Sequence, residues 1–386
     1  MPSVNVFDGR SSIPIIYVKG THYQVGYEVG RTFASLIQSY VEKHSDLNKC
    51  LLPWYKKVEG KAVYDETLAA MKKSYPQYVA ELEGTADGAK VDFHKLFLLH
   101  VDDILPGAIG QQATDVGQGC SSVMCKLPGK ELLGHNEDAL NETLGHFYFV
   151  SAHIISDEPQ GKWGTKEERF TSLCYAGNLP GFTMSYNHHG LVYSVNIIGV
   201  KHPRSGKTPR TFLTRALLAA ENIKQAEQII RDSGVGIGNG VSINMVFVNG
   251  NQTSFYNAEA GPVSDGVDES AVDIVPVKGG DFLYHCNRYL RLDVEENQLR
   301  LMESSVHRHK SMDSLPVPKC EKGILCILGD ESDTSFPLFR SGKTEFVATI
   351  ATGIFNFTDM TWSIYTRNPK ETEPIMVLPM DIKKQR

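Results

Sequence analysis

Long apolar runs are missing from this 386-residue sequence; no window of 18 consecutive apolar residues occurs, so no membrane span is expected. A basic excess is missing as well. With 39 Lys and Arg against 45 Asp and Glu, the formal net charge is −6, which speaks against the basic stripe of a nucleic-acid-binding surface. The stretch from Met1 to Asp8 lacks a basic segment leading into an apolar one, and Lys383-Lys384-Gln385-Arg386 matches no prenylation or retention signal. Cysteine is scarce and odd in number, at positions 50, 120, 125, 174, 286, 320 and 326. Such a scattered set reads as reduced thiols, and cytoplasm is the expected compartment.

Metal and cofactor signatures are absent too. His188 and His189 adjoin on a turn, where neighbouring side chains diverge, and no Cys-x-x-Cys or H-x-x-x-H spacing accompanies them, so no metal is expected. The glycine-rich stretch 234–240 follows a helical pattern and precedes a strand pattern, the reverse of a nucleotide loop. No cofactor is expected.

What the chain does contain is ordered. After a short strand at Ile15 to Val18, Thr21 is a suitable cap for a helix reaching about Leu47, with Val25, Val29, Phe33, Leu36 and Tyr40 on its apolar face. Gly26 and Gly30, four apart, would let another backbone come close. A second helix starts near Asp65 and is interrupted at Pro76, and a third covers roughly Phe93 to Asp102. Pro106 to Gly117 is a polar, glycine-rich linker.

Strand pairs dominate thereafter, at Phe147 to Ile155, Thr171 to Tyr186, Leu191 to Ile198, Val241 to Val248, Thr253 to Asn257, Glu345 to Phe357 and Thr361 to Arg367. The charged stretch Ser156 to Arg169 is expected as a loop. Helices are expected over Thr211 to Asp232 and over about Arg291 to Ser304, and the basic run His307-Arg308-His309-Lys310 as solvated surface. Helices first and strand pairs later suit two antiparallel sheets packed face to face with helices outside.

The centre of the sequence is Gly117 to Asp138. Strand-like residues from Cys120 run to Leu127, break at Pro128-Gly129, and resume at Leu132. A hairpin centred on Gly129 would set Asp138 beside Cys120, a carboxylate next to a thiol. Gly119 leaves its carbonyl unshielded, so Cys120 could attack it, move the chain onto sulfur and let water release a new amino terminus. The freed α-amine, with a reference pKa of ~7.7–8.0, would then serve as general base. A cysteine in a strand also reads as a small buried hydrophobe.

The block from Gly119-Cys120 to Asn136-Glu137-Asp138 resembles the amino-terminal-nucleophile hydrolases of the isopenicillin-N acyltransferase type. The likeness extends to Gly20-Thr21-His22-Tyr23-Gln24-Val25-Gly26 and to the last strands. It implies a four-layer αββα sandwich, one folded unit made of an amino-terminal chain 1–119 and a chain 120–386, and cleavage between Gly119 and Cys120. Cys120 would be the nucleophile and Asp138 the orienting carboxylate. Tyr284-His285-Cys286-Asn287 looks like the family's short His-x-Asn strand, in which the asparagine amide helps form the oxyanion hole; otherwise Asn287 caps a helix beginning near Arg288.

Members that cleave N-β-alanyl biogenic amines are the nearer likeness within the family, which implies a small-molecule N-acyl amine substrate such as β-alanyl-dopamine or β-alanyl-histamine. The acyltransferase members carry an arginine just before a segment similar to Ile350 to Asn356, and this chain has none at the matching place. Acyl transfer, hydrolysis of other N-acyl amides and an uncleaved thiol-binding or redox protein stay open as alternatives, as does assembly of processed heterodimers. Cys120 and Cys125, five apart on one strand, face opposite sides, which argues against a local disulfide.

Overall fold

The computed structural model describes residues 12–111, 119–263, 266–297, 299–342 and 346–383. Most of the linker expected before the cut, 112–118, lies outside the described residues. The part that is described opens with a short helix, Ile104–Ala108, where the sequence suggests only loop.

In chain order the strands are β1 Ile15–Gly20, β2 Gly119–Leu127, β3 Lys130–Leu140, β4 Phe147–Gln160, β5 Thr165–Tyr175, β6 Met184–Asn187 and β7 Leu191–Ile198. They continue as β8 Gly240–Asn249, β9 Gln252–Pro262, β10 Ser270–Val277, β11 Phe282–His285, β12 Val347–Asn356, β13 Thr361–Tyr365 and β14 Met376–Pro379. One sheet has eight strands in the order β1-β4-β5-β6-β7-β8-β9-β10, the other six in the order β11-β2-β3-β12-β13-β14. Strand β1 runs parallel to β4, with Ile15 opposite Phe149, while the other pairings are antiparallel.

Three apolar layers hold this together. Val25, Val29, Tyr148, Val150 and Met245 join the amino-terminal helices to the outer face of the large sheet. Met124, Leu133, Phe149, Val192 and Trp362 fill one end of the space between the sheets. Val123, Cys125, Leu132, Ile324 and Leu328 seat helices Arg300–Ser314 and Glu321–Leu328 on the outer face of the small sheet. Alternation along each strand sends successive side chains to opposite layers. The result is helix, sheet, sheet, helix: the αββα sandwich.

Local expectations met tertiary context with mixed outcomes. Thr21 caps helix His22–Thr32 in a full capping box with Gln24. That helix stops at Phe33, whose ring stacks on Tyr148 with centroids 4.0 Å apart, and a second one, Ala34–Lys43, follows. The helix expected over Thr211 to Asp232 is two, Arg210–Leu217 and Ile223–Arg231, because the Asn222 side chain accepts the Gln225 N–H and starts a new one. The charged stretch Ser156 to Arg169 is the tip of the β4–β5 hairpin, and the helix expected from Arg291 begins only at Arg300. Among the described residues, no helix is long and apolar enough to cross a membrane.

Gly26 and Gly30 do admit a second backbone. Helix Pro76–Ala89 crosses there, and a Cβ on Gly26 would lie 1.9 Å from the Glu81 carbonyl oxygen. The contact is reciprocal, since a Cβ on Gly84 would come within 2.2 Å of the Tyr23 carbonyl oxygen. Backbone cannot step aside as a flexible side chain can. Gly26→Ala is therefore expected to lower stability by about 1–3 kcal/mol or more, read as a lower urea midpoint with unchanged slope.

Beside this crossing lies a buried ion cluster. His22 Nδ1 is 2.9 Å from Glu81, Arg215 Nη2 is 2.8 Å from the same carboxylate, and Arg215 Nη1 binds Glu168, which also sits 3.4 Å from His22 Nε2. Stacked over Tyr78 and Phe170, the Arg215 guanidinium is wholly enclosed. It ties residues 22 and 81, before the expected cut, to residues 168 and 215, after it.

Candidate active site

The hairpin forms around Pro128-Gly129, with Gly129 at φ +68°, where glycine is at ease. Leu127 pairs with Lys130, so the turn has two residues and its centre falls between Pro128 and Gly129. That shifts the register by one. Cys120 pairs with Glu137, and Asp138 pairs with Gly119. The expected neighbour of the thiol, Asp138, is thus replaced by Glu137, and period-two alternation turns Asp138 to the other face.

On the face between the sheets, Cys120 Sγ lies 4.0 Å from Glu137 Oε2. His135 Nε2 is 3.0 Å from the same oxygen, and Tyr175 donates its hydroxyl to Oε1. His135 Nδ1 shares a 2.7 Å hydrogen bond with Ser122 Oγ, which donates to Asn196 Oδ1 at 2.9 Å. Asn244 and Asn257 continue the chain of bonds to Arg291. This end of the inter-sheet space is therefore polar and hydrogen-bonded where the other end is apolar, which fixes the Glu137 carboxylate without leaving buried groups unpaired. Burial pushes the Cys120 thiol well above its ordinary range, and the charges of Glu137 and Asp138 add to the effect.

At the β11 edge of β2, Asn287 Oδ1 accepts the Cys120 backbone N–H at 2.8 Å, and its Nδ2 donates to the carbonyl of Ile197 in the large sheet at 2.8 Å. The side-chain oxygen, rather than the nitrogen expected of an oxyanion donor, meets the cysteine. No helix begins at Arg288, so Asn287 is not a cap. Arg308 Nη2 donates to Asn287 Oδ1 at 2.7 Å, and Arg308 Nη1 reaches the Cys120 carbonyl at 2.5 Å and Ser121 Oγ at 2.9 Å. The basic run expected on the surface therefore contains a fully buried arginine at the site. Its helix carries Ser304, Ser305, Arg308 and Met312 on one buried face, and that spacing was the signal available in the sequence.

Arg340 completes this side. Its Nη2 donates to Ser304 Oγ at 2.6 Å, a hydroxyl that also accepts from Arg308 Nε at 3.1 Å, and its Nε lies 3.5 Å from Asp138 Oδ2. Thr349 donates to Asp138 Oδ1 at 2.6 Å. Burial raises the Asp138 carboxyl to about 6, held from rising further by Arg340 and Arg308. Asp138 thus reaches Cys120 through two arginines. Gly119 has a packing reason as well: a Cβ there would lie 2.4 Å from Asn287 Oδ1 and 2.7 Å from Arg308 Nη2.

Cys120 opens onto a cavity of about 480 Å³. Glu137, Tyr175 and Ile197 line it beside the thiol, Trp54 and Leu299 supply apolar wall, and Asp102 comes from the amino-terminal part. Gly107, Gly110 and Gln111, on the approach to the expected cut, line it too. Cys120, His135 and Glu137 offer ligand atoms within 4.8 Å of one another. The 3.0 Å between imidazole and carboxylate is, however, shorter than the roughly 3.3 Å that two ligands of a tetrahedral ion keep at bond lengths of ~2.0 Å. It is the spacing of a hydrogen bond.

Two likenesses to known proteins bear on this geometry. Residues 125–371 match the family described as acyl-coenzyme A:6-aminopenicillanic acid acyl-transferase, a span that includes Asp138 and Asn287 and begins after Cys120. Over 384 residues the chain is 46% identical to a beta-alanyl-dopamine/carcinine hydrolase of Drosophila melanogaster, covering 98% of this chain and 99% of that protein.

Proposed function

Because the chain belongs to the acyl-coenzyme A:6-aminopenicillanic acid acyl-transferase family, we propose that it is an amide hydrolase, made as a precursor, cut before Cys120 and acting on N-β-alanyl amines. The observation that carries this reading is a cysteine whose nitrogen is held by Asn287 while its thiol faces Glu137 in a cavity. A buried backbone N–H needs an acceptor in any case, but a structural thiol has no use for a carboxylate facing it.

Maturation comes first. With the Cys120 nitrogen still an amide, Glu137 is the base within reach of the thiol. It takes the proton, sulfur attacks the Gly119 carbonyl, the C–N bond breaks, and the proton passes to the departing nitrogen. Water then splits the thioester, leaving Gly119 as a carboxylate and Cys120 with a free amine. Asn287 Oδ1 holds that amine where it held the amide N–H.

Turnover uses the new group. The amine takes the thiol proton, sulfur attacks the β-alanyl carbonyl, and the amine half leaves with the proton. Water releases β-alanine from the acyl-thioester. The second amide hydrogen of Asn287 is the donor we assign to the oxyanion, a contribution of ~2.7–4 kcal/mol where such donors have been removed. Asp138 acts through Arg340 and Arg308, which hold the Cys120 carbonyl and Asn287 in register. The unpaired thiols suit a reducing compartment, and we take the cytoplasm as the working site.

The substrate relation rests on the 46% identity to the Drosophila hydrolase. Mature protein given β-alanyl-dopamine, β-alanyl-histamine, α-alanyl-dopamine and N-acetyl-dopamine should release amine fastest from the first two. Discrimination against the others should be large, since an ammonium displaced by one carbon leaves a polar partner unsatisfied. Equal rates on all four would leave only a general amidase.

A further inference from the structure

The cavity beside Cys120 carries an imbalance of charge. Each cationic side chain lining it already has an anionic partner. Arg210 pairs with Asp103, Lys201 and His202 both meet Glu295, and His44 lies 3.5 Å from Glu142. Most of its carboxylates are likewise engaged: Asp103 by Arg210 and Asn239, Glu137 by His135 and Tyr175, Asp138 by Thr349 and Arg340. Two are left over. Asp102 and Asp46 line the cavity with no cationic side chain of the described residues within 4.0 Å. Asp102 accepts a local hydrogen bond, from the Asp103 N–H to Oδ1 at 2.9 Å.

Asp102 is also the better placed of the two. It follows helix Phe93–His100 on a turn that is fixed through Asp103 and Arg210, and its side chain is exposed to the cavity rather than packed. Tyr40 and Tyr175, the latter donating to Glu137, line the same cavity as Asp102 and Asp46. We infer that Asp102 binds the terminal ammonium of the acyl half of the substrate, with Asp46 adding to the negative field, and thereby selects a β-alanyl group over an uncharged acyl group. This rests on the reading of the chain as an N-β-alanyl amide hydrolase. An ammonium is the fitting ligand because the surplus is one of charge, and among N-β-alanyl amines the ammonium is the cation every member shares. Although its surface is open to the cavity, the site is poorly solvated, and this desolvation, with Asp103 beside it and Arg210 opposing, raises the Asp102 carboxyl to about 7. An unpaired acid in such surroundings is one that a bound cation would relieve.

The test compares β-alanyl-dopamine with N-propionyl-dopamine, which has the same acyl carbon chain without the ammonium. Asp102→Asn keeps the shape and the acceptor for the Asp103 N–H while removing the charge. It should lower kcat/KM for β-alanyl-dopamine about 10²-fold, mostly through KM, and change N-propionyl-dopamine by no more than about 3-fold. Asp102→Glu should recover part of the preference. A parallel fall on both substrates, or an unchanged preference, would overturn the assignment, the first by showing that Asp102 supports the fold or the ring end. Calorimetry with 3-amino-1-propanol, which carries the ammonium and cannot be hydrolysed, separates this question from the substrate reading. If the unmodified protein turned over neither amide, the proposed function would fall, yet binding of 3-amino-1-propanol lost in Asp102→Asn would still support the ammonium site, and binding retained would refute it.

Discussion

Cys120→Ala should run as one chain of 42.8 kDa, where the unsubstituted protein should yield two. The two pieces, of 119 and 267 residues, would be roughly 13 and 30 kDa when the mass is shared in proportion to length. End-group sequencing of the larger should begin Cys-Ser-Ser-Val-Met. Amidase activity should fall by on the order of 10⁴–10⁶ in kcat, the scale seen when a covalent nucleophile is removed. Cys125→Ala is the control. Its side chain lies on the opposite face, packed with Ile324 and Leu328, and the variant should still be cut. Persistent cleavage in Cys120→Ala would assign the nucleophile elsewhere.

Arg308→Met carries the next largest effect. The guanidinium is fully buried and donates to the Cys120 carbonyl, Ser121 Oγ, Asn287 Oδ1 and Ser304 Oγ. Methionine fills much of the volume and serves none of those acceptors. Removing one member of a buried charged network costs about 3–5 kcal/mol, so the urea midpoint should drop sharply. Under conditions where the variant is still folded, kcat should be reduced by about 10²-fold or more, because Asn287 and the Cys120 nitrogen would no longer be held in place. Arg308→Lys should fall between the two. A variant of full activity and ordinary stability would show that the network around Cys120 is held without this arginine.

The sequence made some of this legible and hid the rest for physical reasons. Thr21 with Gln24 announces a helix start because a capping box is local chemistry. Pro128-Gly129 announces a turn for the same reason, but a turn dipeptide does not say whether one residue or two lie at the bend, and that single step decides between Glu137 and Asp138 as the thiol's neighbour. Arg308 looked like surface because charge alone was weighed; the buried serines one turn earlier on its helix were the overlooked pattern. The tip of the β4–β5 hairpin, rich in Lys and Glu, has weak strand preference and is held by pairing with a partner strand. Asp102 offers no pattern at all. Its meaning comes from which charges surround it, and these arrive from distant segments.

The parallel strand β1 and the His22–Glu81–Arg215–Glu168 cluster have a kinetic consequence. In the uncut chain, folding and unfolding are both first-order, and the amino-terminal segment is always at hand to supply the edge strand and half of the ion cluster. Once Gly119 and Cys120 are parted, unfolding stays first-order while refolding requires two chains to meet, so recovery would slow with dilution. Severing one bond would thus turn a reversible fold into one assembled once. The proposed order of events follows: a self-cutting precursor would have to complete its sandwich first, because the finished sandwich brings Glu137 and Asn287 to Cys120.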